Sequence, residues 1–249
     1  MIVVALPAYN EAEAVPRLLA RIREVAPQLD DSLHVIVVDD GSRDGTAEAA
    51  ERSADGLPLQ VVRHAQNRGL HGALDTCLRA AVAAFGEKPR AAAGWIVTMD
   101  ADDTHPPSLI PGMIARGKSG ADVVIASRFR KGAEWHGGAW NRALFSYGVS
   151  WLFRVWWPMR GVRDYTCGYR AYRSEVIRKA YERYGDSFVS EPSFACMPDV
   201  LWKVSRLDVT MAEVPLILFY DRKPGVSKMN VSRTIRRTLQ LIVRRRVGL

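Results

Sequence analysis

Short apolar runs and stretches of helical spacing alternate along the first half of the chain. "IVVALP" at 2–7 reads as a strand buried on both faces, and "AVPRLLARIREV" at 14–25 gathers Leu18, Leu19, Ile22 and Val25 on one side of a helix. "LHVIVVDDGS" at 33–42 is a second strand running into acids; "RDGTAEAAERSA" after it is a helix with Ser42 or Asp44 as its cap. "LQVVRH" (59–64) and "LHGALDTCLRAAVAAF" (70–85) repeat the strand–helix pair. "GWIVTMD" (94–100) and "ADVVIAS" (121–127) supply two more strands around a helix begun by "HPPSLIPGMI". Short buried strands alternating with helices predict an α/β fold, a mostly parallel sheet covered on both faces.

Beyond residue 128 this rhythm fades. "WNRALFSYGVSWLFRVWWPM" is aromatic and amphipathic, "DYTCGYRAYR" is a short strand-like piece, and "PSFACMPDVLWKVSRL" reads as a helix kinked or restarted at Pro198. "VTMAEVPLILFY" is a last strand, "DRKPGVSK" a loop, and the remainder a basic helix. With no internal repeat and no low-complexity linker, a single domain over 1–222 with a lid loop and tail at 223–249 is expected.

Charge sharpens this division. The net charge is +8, yet Lys228, Arg233, Arg236, Arg237, Arg244, Arg245 and Arg246 lie within 226–249 without one acid, so the body is nearly neutral. A nucleic-acid surface spreads its charge over the fold, so no nucleic-acid partner is expected. Cys77, Cys167 and Cys196 show neither metal spacing nor a disulfide framework, which favours a reducing compartment. The N-terminus lacks a basic region before its apolar run, so no signal peptide is expected. "ALFSYGVSWLF" at 143–153 meets Arg154 well short of the roughly 20 residues a spanning helix needs.

Ligands of parallel sheets bind outside the carboxyl ends of the strands. There the chain places "PAYNE", "DDGS" and "DADD", three polar clusters that would converge on one crevice. Asp100 and Asp102 can offer carboxylates to a hard cation such as Mg²⁺ or Mn²⁺, which would relieve the repulsion among Asp100, Asp102 and Asp103. Alternatively Asp102, Asp103 or Thr104 caps the helix that follows. In "VVDDGSRDGT" either turn chemistry or a nucleotide contact through Asp39 or Asp40 accounts for the acids. No G-x-G-x-x-G and no P-loop occurs, so a bound pyrophosphate would have to be neutralised by metal and basic side chains.

"PAYNE" at 7–11, "VVDDGSRDGT" at 37–46, "NRGLHGAL" at 67–74, "MDADDTHPP" at 99–107, "SRF" at 127–129 and "DYTCGYRAYR" follow one another in an order that resembles family 2 inverting glycosyltransferases of the GT-A fold. The similarity is to the branch containing dolichol- and polyprenyl-phosphate mannose synthases. It implies a nucleotide-sugar and metal half at 1–128 and an acceptor half at 129–222. It further implies that Pro7, Tyr9, Glu11 and Asp39 contact base and ribose, and that Asp100 and Asp102 serve the metal and the sugar. Arg128 would sit beside the pyrophosphate, and Arg142, Arg222 and Lys228 would grip donor and acceptor phosphates. Those synthases read D-x-D-x-Q-H-P-P; here Thr104 replaces the Gln, so water or Asp103 would stand in at the metal.

The expected activity is hexose transfer from a GDP- or UDP-linked donor to a polyprenyl phosphate. Transfer to a hydroxyl of a soluble metabolite or glycan is the competing expectation, and a non-catalytic binding protein the remote one. A hydroxyl acceptor needs a general base, for which Asp199 occupies the corresponding region; Asp164 and Glu191 are the other late acids. An ionised phosphate needs none. In the tail, apolar residues at 231, 235, 239 and 242 share one face of a helix whose arginines suit an anionic membrane surface, or whose apolar face docks on the domain. A cytoplasmic protein peripheral to the membrane is expected.

Overall fold

The computed structural model describes residues 1–86, 94–137, 148, 150, 152–222 and 240. The chain begins with an interior strand of the sheet, β1 (Ile2–Ala8), whose Ile2, Val3, Val4, Ala5 and Leu6 are fully buried. On one side β1 pairs in parallel with β2 (Leu33–Asp39), which pairs with β3 (Leu59–Arg63); on the other it pairs in parallel with β4 (Trp95–Thr98). Helices α1 (Ala14–Val25), α2 (Thr46–Arg52) and α3 (Gly69–Ala84) make the crossovers. Helix α1 buries Val15, Leu18, Leu19, Ile22 and Val25, the stripe its spacing predicts. Each such fully buried aliphatic side chain stabilises the fold by about 1.5–3 kcal/mol.

The second half of the chain extends the same sheet. After α4 (Ile110–Lys118) come β5 (Val123–Ser127) and, much later, β7 (Arg170–Arg173) and β8 (Met211–Pro215). The seven-stranded order is β3-β2-β1-β4-β7-β5-β8, with β7 inserted antiparallel between β4 and β5. Every other pairing is parallel, so the strand ends carrying the polar clusters share one edge.

Two details depart from expectation. "VTMAEVPLILFY" is two strands, because Pro215 ends β8, and β9 (Ile217–Phe219) pairs instead with β6 (Glu134–His136) in a separate ribbon. Leu216 joins the two sheets, its N–H donating to Ser127 O and its carbonyl accepting from Glu134 N. Nor is 192–207 one kinked helix; the restart alternative holds, since after α5 (Ser174–Tyr184) a 3₁₀ turn at Ser193–Ala195 gives way to α6 (Cys196–Val204), which places Pro198 in its first turn, where a missing N–H costs little. The basic tail helix lies outside the described residues apart from helical Gln240. Among the described residues no helix is long and apolar enough to cross a membrane.

Candidate active site

The loops after β1 and β2 are laced into one wall. Asn10 N–H donates to Ser42 Oγ (2.9 Å), Glu11 N–H to Thr46 Oγ1 (2.9 Å) and Ala12 N–H to Asp44 Oδ2 (3.0 Å), while Arg43 N–H returns to Asn10 Oδ1 (2.9 Å). Ser42 is therefore not the cap of α2; the cap position is Gly45, and Asp44 Oδ1 accepts the Thr46 N–H. Gly41, at φ 71°, lies so close to the next loop that a Cβ would stand 2.7 Å from Gln66 C and 2.8 Å from Asn67 N. Only glycine fits there.

The adjacent acids Asp39 and Asp40 have separate tasks. Asp40 accepts from Arg68 N and Gly69 N at the start of α3 and pairs with His64 Nδ1 at 2.7 Å. Its oxygens are thus committed to the fold. Asp39 Oδ1 accepts the Ser42 N–H, and among the described residues Oδ2 receives no hydrogen bond. Asp39 is the acid of the two that retains an oxygen for a ligand. Pro7, Tyr9 and Glu11, on the neighbouring strand end, are half-buried.

The acidic loop after β4 is sorted in the same way. Asp102 is buried, and its Oδ1 accepts both the Thr104 N–H (3.2 Å) and hydroxyl (2.7 Å). Asp103, at φ 60°, turns away to helix α1: Arg21 Nη1 donates to it at 2.8 Å, and Arg17 Nε lies 4.0 Å off. Asp103 is thus paired with a cation of α1 rather than left to repel its neighbours. Burial holds the Asp103 carboxyl above its ordinary value, although Arg21, Arg222 and Arg17 pull it down. The capping alternative also falls, because the short helical turn Pro107–Leu109 has Pro106 at its cap and no side-chain capping bond.

Asp100 is half-buried and backed by the "CGY" segment. Its N–H donates to His105 Nδ1, whose ring stacks on Tyr169, and a Cβ on Gly168 would sit 3.5 Å from Asp100 Oδ1. Among the described residues no three His, Cys, Asp or Glu side chains gather into a metal cage. Asp100 and Asp102 are hard carboxylates, a chemistry that fits Mg²⁺ or Mn²⁺, ions that keep water and take the rest of their oxygens from substrate phosphates.

A profile of glycosyl transferase family 2 matches residues 3–180, spanning the laced loops, the acidic loop and β7. The chain belongs to that family. Over 230 residues it is 34% identical to polyprenol monophosphomannose synthase of Mycolicibacterium smegmatis, covering 92% of this chain and 81% of that protein. It is 33% identical over 230 residues to undecaprenyl-phosphate mannosyltransferase of Micrococcus luteus, covering 90% and 86%. The GT-A fold is seen in a crystal structure of glucosyl-3-phosphoglycerate synthase from Mycobacterium tuberculosis with Mn²⁺, UDP and phosphoglyceric acid; it aligns with TM-score 0.67 at 19% identity, covering 100% of this chain and 79% of that one.

In this glycosyltransferase the described residues among the expected phosphate binders are held in different ways. Arg128 follows β5 and is clamped by the fully buried Asp164, its N, Nε and Nη2 donating at 3.0, 2.7 and 2.6 Å. Nη2 also donates to Thr166 Oγ1. Burial alone would raise the Asp164 carboxyl, but the Arg128 charge and hydrogen bonds outweigh it and hold the group below its ordinary value. Arg222 stacks on Phe219 at 3.7 Å, and the Phe219 N–H donates to Thr104 O, which ties this arginine to the acidic loop. Arg142 and Lys228 lie outside the described residues.

Asp199 is fully buried and forms an ion pair with Lys203 Nζ at 2.6 Å. Lys203 Nζ also donates to Ser187 O and Phe188 O, so the pair fastens α6 to the preceding loop. The three thiols are buried, and burial pushes Cys167 and Cys196 up to about 12 and Cys77 higher still, which leaves them without nucleophilic character at neutral pH.

The sequence did not show how these side chains are partnered. Asp164 was visible as a late acid, but its grip on Arg128 spans 36 positions, and the Arg21–Asp103 pair spans 82. Phe219 carried no local signal at all.

Proposed function

We propose that this enzyme transfers a hexose, with inversion, from a GDP- or UDP-linked donor to a polyprenyl phosphate at the cytoplasmic face of a membrane. In this reading Pro7, Tyr9, Glu11 and Asp39 receive base and ribose. Asp100 and Asp102 hold a divalent cation, which when bound neutralises charge on the leaving diphosphate. Arg128, Arg142, Arg222 and Lys228 bind phosphate oxygens of donor and acceptor, with Arg128 oriented by Asp164 and Arg222 by Phe219. Fixed cations of this kind stabilise charge as it develops on the leaving group.

The observation that carries the choice of acceptor is the state of Asp164 and Asp199. Asp164 is committed to Arg128 and Asp199 to Lys203, both carboxylates fully buried. Neither is placed to take a proton from an incoming hydroxyl. A phosphate monoester, with a second pKa near 6, arrives already ionised and needs no base. The named activities of the mycobacterial and micrococcal relatives point the same way. Asp199 then serves the packing of α6 rather than the chemistry.

A thermal-stability screen of nucleotide sugars with and without Mn²⁺ tests the donor half. The matching donor raises the melting temperature only with metal. Asp100→Asn and Asp102→Asn lose that increment while their unliganded melting temperatures stay near wild type. A donor that stabilises equally in excess EDTA sinks the metal assignment.

A further inference from the structure

The acidic loop after β4 is gripped at two consecutive residues by elements from opposite ends of the chain. From β9, the Phe219 N–H donates to Thr104 O at 3.0 Å. From α1, Arg21 Nη1 donates to Asp103 Oδ1 at 2.8 Å, the only hydrogen bond that this carboxylate receives among the described residues. Asp103 is fully buried, and its φ of 60° puts it in the left-handed region, where a residue with a side chain persists only if its surroundings hold it. Helix α1 is a firm post for that grip, since Val15, Leu18, Leu19 and Ile22 are fully buried in the core. Arg17, one turn before Arg21, is engaged by Glu13 at 3.1 Å, and its Nε lies 4.0 Å from Asp103 Oδ2. The hydrogen bond to Asp103 is therefore carried by Arg21.

Stability alone gives little reason for this pair. The attraction of a buried ion pair is offset by the cost of desolvating both charges, and apolar side chains of similar volume often serve as well. What the pair adds is direction, because a charged hydrogen bond accepts one placement of Asp103 where an apolar contact tolerates several. The preceding residue is Asp102, whose Oδ1 takes both the Thr104 N–H and the Thr104 hydroxyl. Fixing residue 103 on α1 thus fixes the backbone from which Asp102 and Thr104 project.

We propose that Arg21 is a positioning residue for the divalent cation, acting through Asp103 to hold the acidic loop in the shape that presents Asp102. This role rests on the metal reading above, and Asp102→Asn tests that reading by itself. Mn²⁺ binding to the full-length protein is titrated by electron paramagnetic resonance with saturating GDP or UDP, a readout that needs no turnover. Arg21→Gln weakens Mn²⁺ binding by about tenfold, the lower end for loss of an outer support of a metal site. Arg21→Lys, which keeps the charge, recovers most of that loss. Arg21→Met/Asp103→Asn leaves no stranded buried charge and melts near wild type, yet binds Mn²⁺ as weakly as Arg21→Gln. In turnover the apparent KM for Mn²⁺ rises by the same factor, while kcat at saturating Mn²⁺ holds. Lower melting of Arg21→Gln with unchanged Mn²⁺ affinity would show a merely stabilising pair and overturns the role. Tighter Mn²⁺ binding by Arg21→Gln also overturns it, since that marks Asp103 as a metal ligand released from its partner. Wild-type affinity in the Arg21 variants with none in Asp102→Asn removes the brace and leaves the metal assignment; no Mn²⁺ bound by the wild type removes both.

Discussion

Replacing Asp164 by Asn keeps the shape of the Arg128 clamp while removing its charge. Asp164 accepts from Arg128 N, Nε and Nη2 and from the Thr166 and Cys167 N–H groups, and it is fully buried. The amide would turn a donor toward the guanidinium and leave a mostly buried cation without its counter-charge. Breaking a buried ion pair by removing one partner costs about 3–5 kcal/mol. Arg128 keeps Thr166 and a side-chain exposure of 12%, so the lower end applies, about 3 kcal/mol. For a chain of this size that lowers the melting temperature by roughly 6–12 °C. The pH dependence has a definite sign. A carboxyl held below the ordinary value of 3.8 contributes stability at every pH above that value and loses it as the pH falls through its folded value. The gap between wild type and variant therefore stays constant from neutral to about pH 5 and closes below about pH 4. Calorimetric melts across this range read both quantities. A variant melting within about 1 °C of wild type, or a gap that widens in acid, would refute the clamp.

Three further outcomes follow from the same geometry. Asp39→Ala should weaken donor binding at least about tenfold by titration calorimetry, the loss of a charge-assisted hydrogen bond, with little change in melting temperature; unchanged affinity removes Asp39 from the nucleotide site. Gly41→Ala forces a Cβ onto the Gln66–Asn67 backbone at a positive φ and should cost about 2 kcal/mol or more by denaturant unfolding, so a neutral result would contradict the close approach. Phe219→Leu should lower kcat several-fold through the unseated Arg222 while leaving the fold stable, and wild-type kinetics would show that the stack does not position that arginine.

The parts of this molecule written locally were legible, and the parts written across distance were not. Buried parallel strands must be nearly continuous apolar runs, so β1, β2, β4 and β5 stand out, as do the polar loops at their ends. The antiparallel insertion of β7 between β4 and β5 leaves no trace in "RAYR", because strand order is decided by pairing partners more than 40 positions away. The division of labour between Asp39 and Asp40 was hidden for another reason. Neighbouring residues at a strand end face opposite ways, and only the position of α3 shows which one meets its N-terminal amides. Asp103 looked like one of three repelling acids until the fold brought Arg21 to it. Arg142, Lys228 and the basic tail remain expectations of the sequence, since they fall outside the described residues.

The account centres on an acceptor that brings its own negative charge to a site where Asp164 and Asp199 are already committed. The direct measurement is product formation from the stabilising nucleotide sugar with a polyprenyl phosphate and, in parallel, the matching polyprenol, at neutral pH with Mn²⁺. Transfer to the phosphate, none to the alcohol, and near wild-type transfer by an Asp199→Asn variant that still folds is the predicted result. Efficient transfer to the alcohol, abolished by Asp199→Asn, would contradict it.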